Sequence, residues 1–318
     1  MIHNITIVGV GWIGRTIAPA CARGGCNVVM HDLKEEILEQ ATEDAKSGLN
    51  FLEENGVMTA DEVTSTMSRI GSTTKLDDAL KDADLAIEAV PEVLDIKRKV
   101  FGQMDKIARQ ETILATNTST MSISAIAEAT HRPDKVVGIH WFYPALIMPP
   151  VEIIRSKNTS DRTVNSVKDF VENIKKVPIM CKEAPGFIVN SIQLALLNTA
   201  TRLLEDGVAT AEDIDNAMRL SLGCRLPFFG PLKIEDIIVT KKTIAGAYEY
   251  MYKATGSDKY LCPALVQQMV ERGEFGLVSG KGYYDYTKLP PGAMAQERDK
   301  MVIKMLKAMA EWGYGEYI

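Results

Sequence analysis

Six residues near the start of the chain constrain it more than any others: Gly9-Val10-Gly11-Trp12-Ile13-Gly14, a GxGxxG turn. It follows the apolar, β-branched run 5–9 and opens a helical stretch over 15–23. In that context the first glycine permits a tight turn, the second lets the backbone approach an anion, and the third lets helix and sheet pack closely. The helix N-terminus adds unpaired N–H groups and the positive end of its dipole, a ready site for pyrophosphate. The pattern alone is common, and the flanking strand and helix are what make it specific. Asp32 ends the next strand-like run, where its carboxylate can accept from an adenosine ribose and would repel a 2′-phosphate. Lys34 softens that repulsion without removing it. The cofactor expected at this turn is NAD rather than NADP.

The rest of the first half alternates in the same way. Short buried-looking runs at 5–9, 28–30, 85–89, 112–115 and 136–139 are separated by helical segments, which predicts a parallel sheet covered by helices. A long excursion over 34–67, broken near Asn55-Gly56, reads as two antiparallel helices. Strands at 151–154 and 177–181 flank a helix with apolar residues at Val164, Val167, Phe170, Val171 and Ile174. After Pro185-Gly186 strand-like runs almost vanish. Helices are expected over 187–204, closed by Gly207, over 210–222, over 232–253, from Pro263 onward, and over 297–311. The fold class is therefore α/β: a Rossmann-type doubly wound sheet followed by an all-α C-terminal domain. Residues 1–184 are expected to form the NAD-binding domain and 185–318 a helical domain for substrate binding and dimerisation.

Composition removes several classes of function. With 36 basic and 42 acidic residues the net charge is −6 and no Lys/Arg run stands out, so the basic field needed to replace counterions on nucleic acid is missing. No apolar stretch is long enough to span a bilayer, and the first residues lead straight into a strand, so a cytoplasmic protein without membrane association is expected. Cys21, Cys26, Cys181, Cys224 and Cys262 are odd in number and scattered, with neither CxxC spacing nor a paired histidine cluster. Reduced thiols and no metal site are the expectation.

Three polar residues fall where the strands should present a ligand-binding edge: Ser119 closing the run from 112, His140 closing the run from 136, and Glu152 at the start of the next strand. Oxidation of a secondary alcohol removes the hydroxyl proton as hydride leaves carbon, and an imidazole that titrates near neutrality suits the first task. A carboxylate on the far ring nitrogen fixes the tautomer and stabilises the imidazolium. Ser119 can donate to the developing oxyanion, and Asn190, on the first turn of the long helix, can hold the same oxygen or a neighbouring carbonyl. Each residue alone is compatible with a purely structural role; the combination points to carbinol oxidation of a small-molecule substrate.

These segments resemble the 3-hydroxyacyl-CoA dehydrogenase family along nearly the whole chain. The resemblance rests on Asn117-Thr118-Ser119, His140-Trp141-Phe142-Tyr143-Pro144, Val151-Glu152, Pro185-Gly186-Phe187-Ile188-Val189-Asn190 and Gly280-Lys281-Gly282-Tyr283-Tyr284-Asp285-Tyr286. It implies His140 as base, Glu152 as its partner, Ser119 and Asn190 on the substrate oxygen, and Glu92, Lys97 and Asn117 near the cofactor. It also implies a cleft between the two domains and a homodimer made by the helical domain. Tyr143 stands where the family has asparagine and Ser191 where it has arginine, and both border the site. The helical excursion, which in the family receives CoA, carries Glu53, Glu54, Asp61 and Glu62 and no Lys or Arg over 47–66, leaving a 3′-phosphate little positive charge. The stretch 223–231 and the added terminal helix are similar to the L-gulonate 3-dehydrogenase and lambda-crystallin branch, which implies Arg225 as a partner for a free carboxylate. The expectations are thus a short-chain L-3-hydroxyacyl-CoA substrate, a free 3-hydroxy acid as the alternative, and, from another class, a non-catalytic NAD(H)-binding or crystallin-like protein.

Overall fold

Apolar β-branched residues placed on both faces of short strands need helices on both sides, and the chain supplies them. The computed structural model describes residues 1–290 and 293–315. In order, the first part holds β1 (Asn4–Val8), α1 (Gly14–Arg23), β2 (Asn27–His31), α2 (Glu35–Glu54), α3 (Ala60–Met67), β3 (Ile70–Thr73), α4 (Leu76–Leu80), β4 (Leu85–Glu88), α5 (Leu94–Ile107), β5 (Ile113–Thr116), α6 (Ile123–Ala127), β6 (Val136–Trp141), β7 (Pro150–Arg155), α7 (Asp161–Asn173) and β8 (Val177–Lys182). The helical part holds α8 (Val189–Glu205), α9 (Ala211–Leu220), α10 (Pro231–Ile238), α11 (Lys241–Thr255), α12 (Ala264–Glu271) and α13 (Ala293–Glu311). Two compact units result, Met1–Leu197 and Asn198–Ile318, with the division inside α8.

The first unit is built on one eight-stranded sheet in the order β3-β2-β1-β4-β5-β6-β7-β8. Order reverses at β1 and β4, so the carboxyl ends of these strands splay apart at a switch point, where open sheets bind ligands. α2 buries Leu38, Ala41, Ala45, Leu49 and Leu52 at helical spacing against this unit, and α3 starts with a reciprocal capping box between Thr59 and Glu62. The strands of the alternating half pair in parallel as expected, and a change of direction comes only beyond them. β7 runs antiparallel to β6 in a hairpin, and β8 follows β7 in parallel. An eight-residue connection (142–149) is too short for a crossover helix, so the chain turns back on itself.

The second unit is also explained locally. Lys241 is fully buried, with its ammonium 2.5 Å from Asp236 and 3.1 Å from Glu235 and over the ring of Tyr283 at 4.0 Å. Asp236 in turn accepts from the Tyr286 hydroxyl at 3.0 Å and the Tyr284 N–H at 3.2 Å. A Cβ on Gly282 would lie 2.3 Å from the Asp236 carboxylate, so the Gly-Lys-Gly-Tyr-Tyr-Asp-Tyr segment wraps a buried ion pair that only glycine lets approach. The helix expected over 232–253 is two helices. Thr240 breaks it, its side chain accepting from the N–H of Thr243 to cap α11.

Candidate active site

The glycine turn is shaped by contact. Gly9 has φ +91°, and a Cβ on Gly14 would lie 2.1 Å from the Gly9 carbonyl oxygen. Around Gly11, by contrast, nothing lies within 4 Å of where a Cβ would stand. The N–H groups of Gly11, Trp12, Ile13 and Gly14 donate to no acceptor among the described residues, and no side chain caps α1. Four orphan donors at a helix N-terminus beside open space are what a pyrophosphate requires, so these residues fit the dinucleotide. Asp32 accepts from Val10 N–H at 3.0 Å and Leu33 N–H at 2.8 Å, which aims its carboxylate at the turn and leaves lone pairs for a ribose.

His140 and Glu152 are directly opposite one another across the β6–β7 ladder. His140 Nδ1 is 2.7 Å from Glu152 Oε2, and both side chains are buried. The other carboxylate oxygen, Oε1, accepts from the N–H groups of Ile188 at 3.0 Å and Val189 at 2.9 Å. Burial alone would raise the Glu152 carboxyl, but the hydrogen bonds from His140 and these two amides outweigh it and hold the group below its usual range. Glu152 is thus ionised, and a carboxylate can only accept, so the proton shared across this contact belongs to Nδ1. Phe142 meets the imidazole edge-on at 4.7 Å and Phe187 lies 5.9 Å away, giving the ring apolar walls.

Phe187 follows Gly186 in a left-handed stretch, with φ 51° and 72° respectively. For phenylalanine this conformation costs on the order of 1–2 kcal/mol. It is held by Phe187 N–H donating to Ala184 and by the Ser191 hydroxyl donating to the carbonyls of Pro185 and Phe187. Ser191, in the position where the resemblance leads one to expect arginine, therefore closes this strap on itself.

Asn190 stands on the first turn of α8, its amide nitrogen donating to the Ser119 carbonyl at 3.0 Å. The Ser119 hydroxyl, at the carboxyl end of β5 beside β6, has no partner among the described residues. Beneath it lies a network that sequence reasoning reached only in part. Glu92 accepts from the Thr118 hydroxyl at 2.5 Å and the Ser119 N–H at 3.0 Å, fixing the serine backbone. Lys97, fully buried, pairs with Glu92 at 3.1 Å and with the equally buried Glu88 at 2.8 Å. Glu88 also takes the Thr116 hydroxyl. Asn117 accepts from Trp141 N–H at 2.9 Å, binding the end of β5 to the end of β6. Glu88 was missed; its only signal is a carboxylate closing an otherwise apolar strand.

Tyr143 and Arg225 complete the set of candidates. Tyr143 stacks on Trp12, ring centroids 4.5 Å apart and planes at 24°. Arg225 belongs to the second unit, in the turn after α9, and its guanidinium makes no ion pair or hydrogen bond among the described residues. Among the described residues no cluster of His, Cys, Asp and Glu could hold a metal, and no helix is long and apolar enough to cross a membrane.

Comparison with known proteins gives these features a common context. The family model for the NAD-binding domain of 3-hydroxyacyl-CoA dehydrogenase matches residues 4–184, and that for the C-terminal domain of the same family matches 186–286. A probable 3-hydroxybutyryl-CoA dehydrogenase from Deinococcus radiodurans is 37% identical over 280 residues, covering 88% of this chain and 99% of its own. The human mitochondrial hydroxyacyl-coenzyme A dehydrogenase is 35% identical over 294 residues, covering 90% and 92%. The crystal structure of the 3-hydroxyacyl-CoA dehydrogenase from Archaeoglobus fulgidus superposes with a TM-score of 0.82 at 33% identity, covering 97% of this chain and 99% of that one. Two family models end to end, and relatives matched over nearly their full lengths, establish that this chain belongs to the NAD-dependent 3-hydroxyacyl-CoA dehydrogenase family.

Proposed function

We propose that the protein interconverts a short-chain L-3-hydroxyacyl-CoA and its 3-oxo form, with His140 as the proton-transferring base. The observation that carries this is the buried 2.7 Å contact between His140 Nδ1 and an ionised Glu152. It leaves Nε2 as the basic nitrogen and stabilises the imidazolium once the carbinol proton arrives. Bound NAD supplies the hydride acceptor. Ser119, whose hydroxyl is uncommitted, donates to the substrate oxygen as charge develops there, and Asn190 steadies the serine backbone and the neighbouring carbonyl. In the reverse direction His140 returns the proton. The short acyl chain is supported by relatives named 3-hydroxybutyryl-CoA dehydrogenase, among them those of Clostridioides difficile and Ralstonia eutropha.

A free 3-hydroxy acid is the second reading, and a specific observation favours it. A groove beside α2, lined by Arg15, Ser47, Phe51, Tyr143 and Ile147, has one cation in its lining, and Arg15 is already paired with Asp44 at 2.6 Å. A nucleotide 3′-phosphate would find no uncommitted positive charge there. Assay of 3-hydroxybutyryl-CoA, 3-hydroxybutyrate and L-gulonate side by side with NAD separates the readings. NADH formation from the thioester alone supports the first, and from the free acids alone the second. If none is turned over while NADH still binds, the protein is a nucleotide-binding or structural one.

The working unit we infer is a homodimer. Ile192, Leu194 and Leu204 of α8 stand about half exposed, apolar surface that a second copy would cover. Sedimentation of Leu194→Asp against the wild type tests this; an unchanged mass refutes α8 as the interface. A cytoplasmic location is supported by five unbridged cysteines.

A further inference from the structure

The aromatic pair beside the glycine turn is used by nothing described so far. Trp12 sits inside the turn, between Gly11 and Ile13, and is 63% exposed. A turn flanked by glycine has little side-chain packing to hold its shape, and Gly11 has open space around it. What holds Trp12 is the ring of Tyr143, itself half exposed, together with the Arg15 guanidinium 5.2 Å from the indole centroid. Arg15 is anchored in turn by Asp44.

Tyr143 is fastened independently. The turn that follows it curls around the Lys176 ammonium, which donates to the carbonyls of Ala145 at 2.7 Å, Leu146 at 3.2 Å and Met148 at 2.7 Å. Three donors meet three acceptors, so the ammonium is fully used. A second, polar tie joins the same two segments: Ala145 N–H donates to the Thr16 hydroxyl at 3.3 Å, and that hydroxyl donates to the carbonyl of Ile13 at 2.8 Å. The glycine turn and the turn after the catalytic strand are therefore bound twice, once by ring stacking and once through Thr16. An aromatic pair that leaves half its surface in water adds little to folding by area. Its effect is on geometry, and the geometry it fixes is that of the unpaired N–H groups of residues 11–14.

We propose that Tyr143 is a positioning residue for the cofactor: stacked on Trp12, it holds the glycine turn in the shape that receives pyrophosphate, so cofactor affinity is set in part from the loop following His140. The inference rests on the assignment of NAD to this turn. It differs from a role for Tyr143 in contacting substrate, and the two predict different measurements.

The test is a set of NADH titrations, by protein fluorescence and calorimetry, on the wild type, Tyr143→Phe, Tyr143→Asn, Trp12→Leu and the double variant Trp12→Leu/Tyr143→Asn. Near-UV circular dichroism without cofactor reports the stack itself. Tyr143→Phe keeps the ring and should bind NADH as the wild type does. Tyr143→Asn should weaken binding about two- to ten-fold, the range of an aromatic pair, with faster NADH release and loss of the near-UV signal. Trp12→Leu should do the same, and the double variant should be no weaker than either single one. The proposal is overturned if Tyr143→Asn binds NADH normally, if the two substitutions add in full, or if Tyr143→Phe is as weak as Tyr143→Asn. A raised substrate KM with unaltered NADH binding also overturns it and assigns Tyr143 to the substrate. Failure of the wild type to bind NADH is a separate result, since it removes the NAD assignment itself.

Discussion

Glu152→Gln tests the chemistry most sharply, because the glutamine has two ways to sit and both are costly. With its oxygen toward the N–H groups of Ile188 and Val189, its amide nitrogen faces His140 Nδ1. Nδ1 must then accept, which moves the ring proton to Nε2, the nitrogen that takes the carbinol proton in the proposed reaction. With the amide reversed, its NH2 faces two backbone donors in a dry setting, at about 1–3 kcal/mol for each donor left unpaired. The first arrangement is cheaper, so the fold keeps most of its stability and the site keeps the wrong tautomer. Loss of a charge-assisted hydrogen bond to the imidazolium is worth about 1.5–3 kcal/mol, roughly a factor of ten to a hundred and fifty in rate. Tautomer inversion adds to this, and kcat should fall by about 10²–10⁴. Glu152→Ala, which leaves His140 and both amides without a partner, should lose similar activity and in addition lower the melting temperature. The assay is NADH formation at saturating NAD, with calorimetry for NAD affinity and thermal unfolding for stability. A kcat for Glu152→Gln within about threefold of wild type would refute the reasoning, since half a kcal/mol could not accommodate either arrangement.

Gly11→Ala should fold normally, because a Cβ there meets nothing, yet bind NAD at least tenfold more weakly as the methyl enters the pyrophosphate space; Gly14→Ala, aimed at the Gly9 carbonyl 2.1 Å away, should instead lose thermal stability. Equal melting temperatures for the two would contradict that division. Asp32→Ala should narrow the preference for NAD over NADP, measured as the ratio of kcat/KM values; an unaltered ratio assigns the selectivity elsewhere. Acid stability follows from the carboxyls of Glu152, Glu92 and Glu183, all held below their usual value of 4.5. For each, the unfolded chain binds more protons than the folded one between the depressed value and 4.5, so stability is full above 4.5 and lost as pH falls through the depressed values. A melting temperature that stays constant on acidification through this window would show that none of the three contributes.

What could be read in the sequence, and what could not, divides along physical lines. The glycine turn was legible because each glycine answers a backbone demand that no other residue meets, and the strand–helix alternation because burial on both faces leaves unbroken apolar runs. His140, Glu152 and Ser119 stood out as polar residues at the ends of such runs, and Asn190 as a polar residue on the first turn of a long apolar helix. Strand direction was not legible, since an unbroken apolar run looks the same in either sense, so the reversal at β7 went unseen. Nor was the break between α10 and α11, where apolar spacing continues across Thr240 although its side chain starts a new helix. Glu88 with Lys97, and Trp12 with Tyr143, meet only in three dimensions. The Gly-Lys-Gly-Tyr-Tyr-Asp-Tyr segment was recognisable by resemblance, but its reason, the enclosed Lys241–Asp236 pair, required coordinates.

The hairpin of β6 and β7 separates what must stay constant from what is free to vary. His140 and Glu152 face each other as rungs of one ladder, so their spacing is inherited from main-chain pairing and not from the eight residues that join the strands. Lengthening or rewriting that connection would leave the contact between His140 and Glu152 in place. Shifting the pairing by a single residue, however, would turn the carboxylate to the opposite side of the sheet and break its contact with the imidazole. New substrates are therefore best sought by grafting tips onto this hairpin, with its rungs left untouched.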